Sequence, residues 1–283
     1  MEPDTKSVIG STTYQLLRQS VDQKPEIFPV DSDKLFETAI VPNSFRAFGS
    51  KNLNVLAGKS IQVAIAYPTE KEEKIAPLRK TIESYIKQQK EKRSISINIE
   101  EFFFQVKDTG VGEQPLYPQG LVGALERIYY IQDSLLGKRD WEQRKFKQPD
   151  VQEFDRIIIP SLESDLRAST KGIYDKPNVI FYECFTGHFV AGMGTGPYVE
   201  KDIFELSQRL GDVLFDDSKA VTYGKTLMAV FPQPKMNHAN WHGVVCHDDP
   251  ITKAKCDRVY FIKQLCEALG EQLTEFFAKV FHP

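Results

Sequence analysis

Several places in this 283-residue chain combine residue types that do chemistry. The stretch Gly110–Ile128 changes character halfway. Gly110, Gly112, Pro115 and Pro118 make its first half a loop, and from Gln119 the apolar residues Leu121, Ala124, Leu125 and Ile128 recur at helical spacing. A loop feeding a helix start leaves backbone N–H groups free to meet an anion, although most such junctions are only turns. Glu163 follows an apolar run in IIIPSLESD. A carboxylate at a strand end can hold a metal ion or can cap a turn or helix. His238, His242 and His247, with Asp248 and Asp249 beside them, are candidate zinc ligands. The first two share a face only in a helix, and Pro232, Pro234 and Gly243 argue for a loop, which favours ordinary surface or capping histidines. GMGTGP (Gly192–Pro197) has the glycines of a phosphate loop but neither a Lys-Ser/Thr ending nor a strand–GxGxxG–helix setting, and it reads as a turn. No GxSxG elbow occurs, and no Cys–His pair has a local signature.

The elements that must position these groups can be read from periodicity. IQVAIAY (Ile61–Tyr67) suits a buried strand, broken at Pro68. A helix follows with Ile75, Leu78, Ile82, Tyr85 and Ile86 on one face, Pro77 near its start, and the basic run Lys87–Arg93 as its solvated end. Ile95, Ile97 and Ile99 alternate along a second strand that runs on through Phe104, which makes a β–α–β unit. The helix from Gln119 extends to Leu136, with Tyr129, Tyr130 and Leu135 on its apolar side. Strands are expected at Arg156–Pro160, Asn178–Phe185 and His188–Met193, the last two joined by a turn at Thr186-Gly187. A helix at Val199–Leu210, a short strand or turn at Tyr223–Val230, and a final helix at Cys256–Phe281 complete the list. The final helix would bury Val259, Ile262, Leu265, Cys266, Leu269 and Leu273. The pattern is α/β with a mixed sheet. Residues 1–55 alternate small apolar clusters with Pro and Asp and read as an N-terminal arm. Residues 56–283 form the α/β domain, with an exposed charged insertion near 138–153.

Composition narrows the classes. Hydrophobic residues make up 41% and charged residues 27% of the chain, as in a globular protein. A net charge of −3 argues against a nucleic-acid binder. No run approaches the roughly 18 apolar residues of a membrane span. The polar start MEPDTKSVIG has no signal-peptide core, and Cys184, Cys246, Cys256 and Cys266 lack CxxC spacing. Together these predict reduced thiols in a cytoplasmic protein.

Four segments, in order, resemble the inosine triphosphatase-like superfamily. The likeness is to its bacterial inosine/xanthosine triphosphatase branch and most of all to the C-terminal domain of eukaryotic proline-rich coiled-coil proteins. VAIAYPTEKEEKIAPLR (Val63–Arg79) is similar to the family's strand, its Thr/Ser-Asn-x-x-Lys-type phosphate loop and the next helix. QPLYPQGLVGALERI (Gln114–Ile128) resembles its Gln-Pro…Gly-Ala-x-x-Arg segment, and IIIPSLESDL (Ile157–Leu166) its strand ending in an acid near the metal. Asn240–Leu265 is similar to the closing segment, where the eukaryotic branch also has a Trp-His pair.

The resemblance spans about residues 55 to 280 and implies an elongated, two-lobed α/β domain around a long twisted mixed sheet, with a cleft. It implies a site with Lys74, Glu163 and Lys253 in catalytic positions, Glu163 near a Mg²⁺ or Mn²⁺ ion, and Thr69, Gln119, Arg127 and His242 on the ligand. The implied chemistry is attack of water on a nucleoside triphosphate such as inosine or xanthosine triphosphate, with cations offsetting the developing charge. A homodimer is the family's usual state. Two departures bear on activity. Glu70 stands where the enzymes have Asn, and Gln119 stands about where they carry an acid. A carboxylate in a phosphate loop repels phosphate, and an amide is a poor metal ligand that cannot act as a base. The expectation is therefore a non-catalytic, ligand-binding or regulatory protein, taking a nucleotide or other phosphorylated small molecule, or a protein partner. The alternatives are a metal-dependent hydrolase and a repurposed small-molecule enzyme using the same cleft.

Overall fold

Ile61, Val63, Ile65 and Tyr67 alternate with Ala64 and Ala66, and all six are buried. A run apolar on both faces belongs inside a sheet, and it forms β1 (Ser60–Tyr67). The computed structural model describes residues 48, 60–106, 115, 119–138, 150–169, 172–214, 222–230, 241–242 and 255–281. After Pro68 comes α1 (Glu72–Arg93), which buries Ile75, Leu78, Ile82 and Ile86 and carries Pro77 in its second turn. The chain returns as β2 (Ser96–Phe103), parallel to β1 in the expected β–α–β unit. Next come α2 (Gln119–Leu135), β3 (Arg156–Ser169), β4 (Gly172–Glu183), β5 (Phe189–Met193) and the two-residue β6 (Tyr198–Val199). The last helices are α3 (Lys201–Leu214), α4 (Tyr223–Val230), α5 (Arg258–Ala268) and α6 (Gly270–Val280).

The fold is α/β around a mixed six-stranded sheet. Its strand order is β2-β1-β3-β4-β5, with β6 paired to β4. β1 is parallel to β2 and β3, whereas β3–β4 and β4–β5 are antiparallel. Successive side chains of β1 point to opposite faces, and each face has its own core. Ile61, Val63, Ile65 and Tyr67 pack with α1, α5 and α6. Ala64 and Ala66, with Ile157 and Ile159 of β3, pack with α2. Each large aliphatic buried here contributes about 1.5–3 kcal/mol. A third cluster lies toward the tip of the β3–β4 hairpin, where Leu166 and Ile173 meet Val199, Phe204, Tyr223 and Trp241.

Several elements differ from the reading of the sequence. β3 does not stop at Pro160 but runs fourteen residues to Ser169. Leu162 and Leu166 keep the period of two on one face, while Glu163 and Asp165 occupy the other. β4 accordingly starts at Gly172 instead of Asn178, and the two strands turn at a glycine with φ 137°. Val199 belongs to β6, so the helix there begins at Lys201. Tyr223–Val230 is helical, not a strand or turn: Tyr223, Gly224, Thr226 and Leu227 bury one helical face. The final helix is two, because the chain turns at Leu269 between α5 and α6. Val259 is 37% exposed, not buried. GMGTGP is no turn. Gly192 is in β5 and the following residues run beside β4, with the Gly194 N–H donating to Pro177 O at 2.8 Å.

Of the N-terminal arm only Phe48 is described; its N–H donates to Cys184 O at 2.7 Å and its ring meets Phe185 edge-on. Within the charged insertion, residues 139–149 lie outside the described residues, as do Lys253, His238, His247, Asp248, Asp249 and most of the loop before α2. No helix among the described residues is long and apolar enough to cross a membrane.

Candidate functional site

The carboxyl end of β1 is where the cations converge. Pro68 breaks the strand, and the Thr69 hydroxyl accepts from the Lys71 N–H at 3.2 Å, turning the chain into α1. Thr69 thus serves the turn. One turn later the Lys74 side chain, 13% exposed, reaches over the sheet to Glu163 of β3, with Nζ 3.4 Å from Oε1. From the other face, Arg127 of α2 donates Nε–H to Glu163 Oε2 at 2.9 Å, and its Nη2 bonds the same oxygen. Helical spacing explains the meeting: Ala124 and Ile128 face the sheet, and Arg127 lies at the rim of that stripe. Thr69, Lys74 and Arg127, with Tyr67, Pro68 and Pro160, line one small recess.

Burial opposes charge on both sides of this triad. It would raise the Glu163 carboxyl, but Lys74 and Arg127 overcome it and hold the group at about 2. Burial also pulls the Lys74 ammonium below its ordinary value, with Glu163 opposing and Arg258 and Arg127 assisting the fall. Both Glu163 oxygens are occupied by cations, and Oε1 also accepts from the Ser164 N–H at 3.2 Å. Among the described residues no group of three or more His, Cys, Asp or Glu is arranged to hold a metal ion.

Two residues further along β3, Asp165 is buried beside the start of α2. A Cβ added to Gly120 would stand 2.8 Å from Asp165 Oδ2. Asn178 and the Gly120 N–H favour the ionised carboxyl, but neither closes a hydrogen bond of good geometry, and both Asp165 oxygens are left unpartnered. Burial lifts this group to about 6. Because the fold prefers the protonated form, the stability Asp165 contributes is present below its ordinary value near 3.9 and lost as pH rises through 6. Asp165→Asn is therefore expected to stabilise the protein by about 2 kcal/mol at pH 7.5 and to change it little at pH 4. Urea unfolding at the two pH values checks this; equal effects at both would refute it.

On the opposite face of the β3–β4 hairpin, Asp175 of β4 accepts from His242, with Nε2 to Oδ2 at 2.6 Å. Arg258, at the start of α5, brings Nη2 to 3.9 Å from the same oxygen. Burial keeps the His242 imidazole neutral near pH 7, although Asp175 opposes it. Burial also works against the Asp175 charge, but the His242 hydrogen bond, Arg258 and Lys74 hold it ionised. Trp241 stacks on the imidazole with ring centroids 3.8 Å apart.

The structure thus brings Thr69, Lys74, Arg127 and Glu163 together, and pairs His242 with Asp175 instead. Gln119 begins α2 at an exposed position, next to Gly120. Asp165, Asp175 and Arg258 had not been singled out. The signal for the first was the alternation Leu162-Glu163-Ser164-Asp165-Leu166, which is that of a strand continuing past Pro160.

No family model matches the chain, and no curated protein matches it. A solved structure of the protein VC0702 from Vibrio cholerae is similar over 78% of this chain and 98% of that one, at 13% identity and a TM-score of 0.45.

Proposed function

We propose that the protein binds a small phosphorylated molecule, a nucleotide or a relative of one, at the carboxyl end of β1. In this reading it is a ligand-binding or regulatory protein on an inosine triphosphatase-like fold, not an efficient hydrolase. One observation carries it: Glu163 lies between Lys74 and Arg127, so the acid is committed to cations. An entering phosphate can join Glu163 on the same two groups, since Lys and Arg side chains carry three and five donors and charge-assisted bonds to them suit phosphate oxygens as well as carboxylate. A Mg²⁺ or Mn²⁺ ion, by contrast, would have to displace Lys74 or Arg127 from Glu163. The neutral Gln119 supplies no substitute carboxylate. The same reading makes the protein cytoplasmic and a homodimer or the partner of another protein, and light scattering tests the dimer.

Isothermal titration with tripolyphosphate tests the binding. Wild-type protein is expected to bind it, and Lys74→Met together with Arg127→Met to weaken it at least tenfold, on the order of the loss of one charge-assisted bond. No heat with tripolyphosphate would refute the reading.

A second reading, a metal-dependent hydrolase of inosine or xanthosine triphosphate, is favoured by Asp165. It is a second carboxylate on the same face of β3, two residues from Glu163, with both oxygens unpartnered. Phosphate release from either nucleotide with Mg²⁺ or Mn²⁺, abolished by Glu163→Gln, would establish it in place of the first. Absence of release would exclude it.

A further inference from the structure

Strand β2 forms one edge of the sheet, and among the described residues no strand pairs with its outer side. The N–H and C=O groups that point outward there form an open template. Folds usually blunt such an edge with Pro, Lys, a bulge or a short strand. β2 is eight residues long, SINIEEFF, with neither Pro nor Lys, and it pairs residue for residue with β1 from Ser96 to Phe103 without a bulge. Ile99 lies in register with the buried Val63, yet it is 39% exposed at this edge.

A second copy of β2 fits this edge, and the side chains fix how. Two copies related by a two-fold axis pair antiparallel. Residues directly opposite share a face of the sheet, so the axis must pass through a residue and not between two. Axes at Ile99 or Glu100 use nearly the whole strand. An axis at Glu100 sets two carboxylates against each other, which destabilises the pair. An axis at Ile99 sets the two exposed isoleucines side by side. It also places Asn98 opposite Glu100 on both sides of the axis, amide against carboxylate. Ile95 then lies opposite Phe103, both partly buried against the core under α1. Glu101, opposite Ile97, keeps Arg79 of its own chain.

We propose that β2 is the interface of a homodimer, pairing antiparallel with its own copy about Ile99 and joining two six-stranded sheets into one. This rests on the homodimer in the reading above and supplies its surface and register. Because β1 is parallel to β2, the carboxyl ends of the two β1 strands, with their recesses, point to opposite ends of the joined sheet.

Sedimentation equilibrium and oxidative cross-linking test it. Wild-type protein is expected to be a dimer. Ile99→Asp sets like charges at the axis and should raise the dissociation constant roughly tenfold or more. Asn98→Lys sets a cation opposite each Glu100 and should lower it about threefold. Both positions are exposed, so both variants should fold, which circular dichroism checks. Ile99→Cys should give a disulfide-linked dimer, because its two Cα atoms would stand about 5 Å apart. Ser96→Cys should not, because its two copies would lie about 20 Å apart. Wild-type protein treated alike sets the background from its own cysteines. A monomer in solution overturns the pairing and the homodimer together. A dimer that Ile99→Asp leaves intact, or that Ser96→Cys links and Ile99→Cys does not, overturns the pairing and leaves the homodimer standing.

Discussion

Glu163→Ala is expected to cost about 3–5 kcal/mol of stability, the penalty for leaving buried charge uncompensated. Lys74 and Arg127 both lose their partner, and they respond differently. Lys74, already lowered by burial, can release its proton; Arg127 cannot. The deficit should therefore shrink as pH rises from 7 to 9.5 and persist in part through Arg127. Lys74→Met on the Glu163→Ala background should recover some of it. The acid limb should change as well. In the wild type the stability from Glu163 is fully present above its ordinary value near 4.3 and lost as pH falls through about 2. The variant should lack that component. Urea unfolding from pH 2 to 9.5 reads all of this, and a variant within 1 kcal/mol of wild type at pH 7 would show that the triad is not buried as described.

Gly196→Ala should be at least as damaging, for a steric reason. A Cβ at Gly196 would stand 1.4 Å from the carbonyl oxygen of Asp175 and 2.5 Å from its carbon, both backbone atoms. Backbone cannot swing aside, so the segment 194–197 must leave β4, breaking the Asp175 N–H bond to Pro197 O at 3.0 Å. The expected loss is on the order of 4 kcal/mol, in the range reserved for broken architecture. By comparison, Gly137→Ala meets nothing within 4 Å and strains only a φ of 68°, a cost of about 1 kcal/mol. Thermal unfolding of the two variants checks the ranking, and a Gly196→Ala protein melting within a few degrees of wild type would contradict it.

The contrast between these glycines shows what the chain makes legible and what it hides. Hydrophobic period is local, so β1, α1, β2 and α2 emerge from it nearly residue for residue. Glu163 was visible because it follows the apolar run Ile157–Ile159, whereas Lys74 was singled out only by the resemblance of Val63–Arg79 to a phosphate-loop segment. Where charge interrupts the period, the signal fails. Glu163, Asp165 and Arg167 made β3 look finished at Pro160, yet those side chains sit on a face where α2 and the opposite strand receive them. Tyr223–Val230 is too short for its period to speak, and its helix is made by packing against Val199, Phe204 and Trp241. Leu269 and Leu273 continue the apolar stripe across the break between α5 and α6, so spacing alone could not reveal it. Gly196 was read as a turn former, but its need is for room against a strand about twenty residues away. The pairing of Asp175 with His242 spans 67 residues and left no mark that a single sequence displays.

Strand β3 has one more consequence. Along it, aliphatics and charges strictly exchange faces: Leu162 and Leu166 serve the cores on one side, Glu163 and Asp165 meet α2 on the other. A slip of β3 by one residue against its neighbours would drive the carboxylates into two separate apolar clusters and leave Arg127 and Lys74 facing leucine. Any odd-numbered slip of this ribbon meets the same penalty. The charges that suit the protein to a ligand therefore also index the strand, and an attempt to redesign the recess with neutral residues would remove the mark by which β3 finds its place.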